Sequence, residues 1–153
     1  MPEAPFDLHG AQRWFAVELN NLAWDLLAKP NRSREETERM LHAAHASVYH
    51  WLAAGNELNQ LRGGILLANV YAAAGAAERA LHYAEEVLKL SDQAGDQQSP
   101  FDRATALACA ARANEAAGKQ AEAARFGQLA RQAADKLDAE ERPVFDELCP
   151  QTT

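Results

Sequence analysis

The chain has 153 residues, 48% of them hydrophobic, with a net charge of −7 and two cysteines. That length makes one domain with room for a core, and an acidic chain with no Lys/Arg run excludes ordinary nucleic-acid binding and disfavours anionic membrane surfaces. No apolar run reaches the ~18 residues of a membrane span, and the acidic residues 1–7 carry no signal-peptide core and read as a disordered leader.

Much of the apolar content is alanine, the best helix former, so the chain is expected to be all-α. A first helix is predicted over 8–28, with Trp14, Val17, Asn21, Trp24 and Ala28 at helical spacing, and Lys29-Pro30-Asn31 stops it. Ser33 followed by Glu36 is a capping-box signature for a second helix running to Ala54. Its expected apolar arc is Met40, Leu41, Ala44, Val48, Trp51 and Leu52, with Trp51 in the core. Gly55-Asn56 makes a turn, a third helix covers 57–74 and breaks at Gly75, and a fourth covers 77–94. Ser99-Pro100-Phe101-Asp102 restarts the chain with an N-cap, a proline at the first helical position and an acid at the positive helix end. A fifth helix to 117, a sixth over 120–137 and a short seventh to Leu148, opened by Asp138-Ala139-Glu140-Glu141, complete a domain over 8–148, with a tail at 149–153. Cys109 and Cys149 form no C-x-x-C pair and read as reduced thiols of a cytoplasmic protein, Cys109 in the core and Cys149 near the tail.

Residues 62–94 partly recur 43 residues later: Ala73-Ala74-Gly75, Ala80 and Tyr83 return as Ala116-Ala117-Gly118, Ala123 and Phe126. This recurrence resembles the tetratricopeptide repeat (TPR) family. In the middle repeat the family's small positions hold Ala68, Ala80 and Val87, and its large positions hold Gly64, Leu67, Tyr71 and Ala84. The third repeat has Ala111, Ala123 and Ala130 at the small positions, with Ala110 and Asn114 replacing leucine and tyrosine. The first is marked by Arg39-Met40-Leu41-His42-Ala43-Ala44, which parallels Arg79-Ala80-Leu81-His82-Tyr83-Ala84. The segment Ala44-His45 to Tyr49-His50-Trp51 is also similar to short bacterial TPR-like proteins, a likeness that brings no activity with it.

The resemblance implies three stacked antiparallel helical hairpins, a TPR-like α-solenoid, with a short C-terminal capping helix. It implies a protein or peptide partner held in a groove lined by the first helix of each hairpin. By position that groove presents Glu18 and Asp25, then Arg62, Ile65 and Asn69, then Thr105, Arg112 and Glu115. Ala108 and Cys109 stand where a carboxylate clamp would place polar donors, so a clamp is not expected. Two arginines against three acids suit a short polar or acidic segment, and Asp102 is placed to pair with Arg62 or Arg112.

The second helix carries His42, His45, Tyr49 and His50. Two readings stand. In one, His42 is on the surface and His45, Tyr49 and His50 bond to neighbours at the seam between hairpins. In the other, His45, Tyr49 and His50 converge with Asn56, Asn59 and Arg62 in a polar pocket for a small molecule or metal. Glu38, His42 and His45 share a face, but no H-E-x-x-H or paired E-x-x-H motif supports a metal. Ser47 and His50 lack nucleophile–base spacing, no Gly-x-Ser-x-Gly elbow exists, and Gly63-Gly64 reads as a site of close helix packing rather than a phosphate loop. No catalytic residue, metal or cofactor is therefore expected. A structural homo-oligomer, possible as a dimer, is the remaining reading.

Overall fold

The computed structural model describes residues 3–148; Cys149 and the rest of the tail lie outside the described residues. Among the described residues there are seven α-helices and no strand. They are α1 (Leu8–Ala28), α2 (Arg34–Ala54), α3 (Glu57–Ala73), α4 (Ala77–Ala94), α5 (Pro100–Ala116), α6 (Gln120–Ala134) and α7 (Glu141–Leu148), with one 3₁₀ turn at Gly95–Gln97.

Five of the helices, α1, α2, α3, α5 and α7, begin where a side chain takes up unpaired amides, whereas α4 and α6 start without a side-chain cap. Ser33 and Glu36 form a capping box on α2, and Ser99 and Asp102 form one on α5 behind Pro100. Asp7 accepts from the Gly10 amide and so belongs to the start of α1 rather than to a leader. Asn56, expected in a turn with Gly55, caps α3 reciprocally with Asn59. Asp138 accepts from the amides of Glu140 and Glu141 ahead of α7.

The ends are set by glycine and by tightening. Gly75 and Gly118 sit at φ 75° and 72°, a conformation that a Cβ makes costly. The two turns use the same bonds: Gly75 N to Ala72 O and Ala76 N to Tyr71 O in one, Gly118 N to Glu115 O and Lys119 N to Asn114 O in the other. The 43-residue recurrence is thus a repeated backbone device. The sixth helix ends three residues earlier than expected because residues 135–137 bond to i−3, a tighter winding than α-helix. Arg32 closes the end of α1 by donating to the carbonyls of Leu26, Leu27 and Lys29.

Sequential helices pack in pairs, α1 on α2, α3 on α4 and α5 on α6, and α3 also meets α1, α2 and α5. Ser47 reaches Ala16 and His50 reaches Gln12, so α1 and α2 run antiparallel. The core is alanine-rich: Ala16, Ala23, Ala44, Ala68, Ala80, Ala106 and Ala110 are all fully buried. Gly63 and Gly64 permit the closest approaches. A Cβ on Gly63 would lie 2.8 Å from Val48 Cγ2 of α2, and one on Gly64 2.8 Å from Val87 Cγ2 of α4. The buried stripe of α2 is Met40, Ala43, Ala44 and Ser47, turned from the expected arc. Trp51 is only half-buried, with Arg13 over its ring, and Leu52, about 140° around the helix from the buried Ser47, is exposed.

Ala80 lies in the core that α3, α4 and α5 share. Replacing it with Leu forces methylenes into a filled space and should lower stability by about 1–3 kcal/mol, read from chemical denaturation. An unchanged midpoint would show that the contact is looser than described.

Candidate functional site

The largest hollow among those described lies where α1, α3, α5 and α7 come together, with a volume of ≈ 510 Å³. From α1 it takes Asn20 and Trp24, from α3 Arg62, Ile65 and Asn69, from α5 Phe101, Asp102 and Thr105, and from α7 Glu141, Val144 and Leu148. Ser99, the cap of α5, sits at its edge. Arg62 and Asn69, seven residues apart, share one face of α3 because seven residues are nearly two turns.

The floor of the cleft is a bonded polar network. Arg62 Nε and Nη2 donate to the two carboxylate oxygens of Asp102 at 2.8 and 3.0 Å. Asp102 also accepts from the Ser99 amide and returns one bond through its own amide. Burial pushes the Asp102 carboxyl up, but the Arg62 guanidinium and the Ser99 donors outweigh this and hold it below its ordinary value. The Asp102 hydrogen bond raises the Arg62 pKa, outweighing the burial that opposes its charge. Asn69 donates to the Ile65 carbonyl and accepts from Arg112 Nη1 at 2.8 Å, and Arg112 Nη2 donates to the Leu148 carbonyl of α7. Thr105 donates to the Phe101 carbonyl. The buried polar atoms therefore satisfy one another, and Arg62, with 52% of its side chain exposed, and Glu141 of α7 are the charged groups left lining the opening.

The expected groove residues divide. Arg62, Asn69 and Asp102 meet in the cleft. Arg112 and Glu115 line a second, more open hollow of ≈ 400 Å³ with Leu27 and Ala72. Glu18 and Asp25 line neither and are exposed. Ala16 and Ala23 are buried against α2, so at about 100° per residue Asn20 and Trp24 turn toward α3, whereas Glu18 and Asp25 turn away. Reading α1 from the burial of its alanines, rather than from repeat register, would have found Asn20 and Trp24. The contribution of α7 had no signal in the sequence.

The histidine segment does not converge with Arg62. His45 Nε2 is 2.7 Å from the Tyr71 hydroxyl, in a ring cluster where Tyr71 and Tyr83 stack at 5.6 Å. His50 bonds Gln12 and stacks on Phe15. Tyr49 is exposed against His50, and Asn59 is used by the α3 cap. Ser47 is buried and donates to the Ala16 carbonyl. Among the described residues no three His, Cys, Asp or Glu side chains come together around a point fit for a metal. Among the described residues no helix is long and apolar enough to cross a membrane. Cys109 is buried and its thiol donates to the Ala106 carbonyl.

No protein-family model, curated protein or solved structure matches the chain.

Two measurements follow from these bonds. His45 remains partly exposed, and the partial desolvation of its ring against Tyr71 and Tyr83, then the charges of Arg79 and His42, holds its imidazole below the ordinary value of 6.5. A depressed histidine contributes stability that is complete above its unfolded value and is lost as pH falls through that value toward the folded one. The melting temperature should therefore drop as pH is lowered from about 7.5 to 5.5, and His45→Gln should reduce that slope. Arg62→Met leaves the Asp102 carboxylate without its cation and should cost about 1–3 kcal/mol at neutral pH, measured by denaturant titration.

Proposed function

We propose that the protein is a TPR-like interaction module, a solenoid of three helical pairs closed by α7, which binds a short segment of a protein partner in the cleft and has no chemistry of its own. The observation that carries this reading is the make-up of the cleft. Trp24, Ile65 and Phe101 give it apolar walls, its floor is internally bonded, and Arg62 stands half-exposed at its edge. A hollow of ≈ 510 Å³ falls within the range of about 300–1,000 Å³ that suits a compact ligand or an anchoring side chain. Its position on α1, α3 and α5, the first helices of the three pairs, agrees with the groove that the TPR resemblance implies.

The segment it suits is amphipathic rather than uniformly polar. With Glu18 and Asp25 outside the cleft, one large apolar side chain can enter it while a neighbouring carboxylate meets the free side of Arg62. The reading includes no catalytic residue, metal, cofactor or nucleic acid, and a cytoplasmic setting in keeping with two cysteines spaced too far apart for a C-x-x-C pair.

Selection of a random peptide display library on the immobilised protein tests this. Enriched peptides should pair a large apolar residue with Asp or Glu, and their binding should change Trp24 fluorescence. Phe101→Ala should weaken binding about tenfold by removing a wall. Arg62→Met should weaken it less and abolish most of its salt dependence, which for one exposed charge is small. Failure to enrich any peptide, or equal binding by Phe101→Ala, would sink the proposal.

A further inference from the structure

The two ends of the helical stack are finished differently. At the C-terminal end α7 lays Phe145, which is 3% exposed, onto Ala104, Leu107, Ala108, Ala130 and Ala134 of α5 and α6. At the other end, among the described residues, no helix covers the outer face of the α1–α2 pair. That face can be located. Ala16 and Ser47 point at one another across the pair, and Trp24 and Val48 mark the side toward α3. At about 100° per residue the opposite side of α1 carries Leu8 and Phe15 with the half-buried Leu19 and Leu22, and that of α2 carries Arg39, Ala46, His50 and Ala53. Phe15 and His50, stacked with ring centroids 5.4 Å apart, join the two halves into one surface. Leu8 and Phe15 are 53% and 45% exposed.

From this face we infer that the chain forms a two-fold homodimer in which α1 and α2 of two copies build a four-helix bundle. Three features select a second copy. The first is size complementarity: α1 offers large side chains, whereas α2 offers alanines. A two-fold axis parallel to the helices sets α1 of each copy over α2 of the other, antiparallel, so the large side chains of α1 meet Ala46 and Ala53 of the other copy and the contact closes on itself.

The second is charge. Since Ser47 is level with Ala16 and His50 with Gln12, His42 lies within about one turn of the level of Glu18, and Arg39 within about one turn of Asp25. These acids line the outer rim of α1, and the same axis brings them beside His42 and Arg39 of the other copy. The exposed acids that the cleft leaves unused thereby acquire a role. The third is area. Two 21-residue helices are each about 31 Å long and pack about 9–10 Å apart, giving a footprint of roughly 600 Å². Interdigitation raises this toward the ~800 Å² per partner of a stable interface. The cleft at α3 and α5 lies on the other side of the α1–α2 pair and stays open in the dimer.

Sedimentation equilibrium of the whole chain, at concentrations from about 1 to 100 µM, tests the inference. The expected mass is twice 16.7 kDa. Phe15→Ser removes an exposed ring and Ala46→Glu puts a charge where the partner's large residues would sit. Each should shift dissociation upward by at least tenfold while far-UV circular dichroism and peptide binding in the cleft stay as in the parent. Phe15→Ser keeps the test readable even if Ala46→Glu perturbs the pair, because Phe15 is not part of the buried core. A single-chain mass at 100 µM overturns the inference. So does an assembly larger than two copies, or a dimer that persists undiminished in a folded Phe15→Ser variant.

Discussion

Everything in this fold is arranged around a helix that is enclosed on most of its circumference. From Leu61 to Val70, α3 exposes only Arg62 and part of Gly64. A helix with neighbours on four sides cannot carry bulk on all of them. Gly63 lets α2 come close, Gly64 lets α4 come close, and Ala68 and Ala80 keep the α3–α4 seam thin. Van der Waals contact at short range replaces large side chains as the source of cohesion here. The alanine-rich composition is therefore the condition that allows three pairs to stack around one enclosed helix.

That enclosure also decides what the cleft can do. Each polar group that α3 or α5 turns into it is committed to another: Asn69 to Ile65 and Arg112, Asp102 to Arg62 and Ser99, Thr105 to Phe101. A buried polar atom without a partner is costly, so the interior polar residues hold the helices at fixed spacing instead of waiting for a ligand. Recognition is left to apolar surface, to the outward part of the Arg62 guanidinium and to Asn20 and Glu141 at the walls. The difference from a charged groove is a matter of helix rotation, with the α1 acids turned away by the alanines that anchor that helix.

Local order was legible in the sequence to the degree that single residues enforce it. Ser33–Glu36, Pro100 and the two Ala-Ala-Gly turns fix helix ends by chemistry that acts within four residues, and all stand where the sequence put them. The close packing at Gly63-Gly64 was also readable, and Asp102 was legible as the partner of one of two arginines, Arg62 or Arg112, of which the helix packing selects Arg62. What escaped were properties of assembled helices. Rotation of α2 moved Trp51 and Leu52 out of the core and Ser47 into it. The cap made by Asn56 and Asn59 was hidden because asparagine serves turns and caps alike. The wall supplied by α7 depends on where a distant helix lands, set by one Phe145 contact and by Arg112 holding the last carbonyl.

Asp102 serves two elements at once, closing the first turn of α5 and anchoring a side chain from the middle of α3. Those two places are 40 residues apart in sequence but share one carboxylate. When the first turn of α5 frays, Asp102 leaves with it, and Arg62 loses its support in the same event. The amides of Ser99 and Asp102, both donors inside that box, are accordingly reporters of the cleft: their hydrogen-exchange rates measure how often its floor opens. A ligand held by Arg62 slows them although it touches neither amide. The start of one helix and the mouth of the cleft thus behave as one opening unit, and the lifetime of a bound segment is tied to the fraying of a helix end.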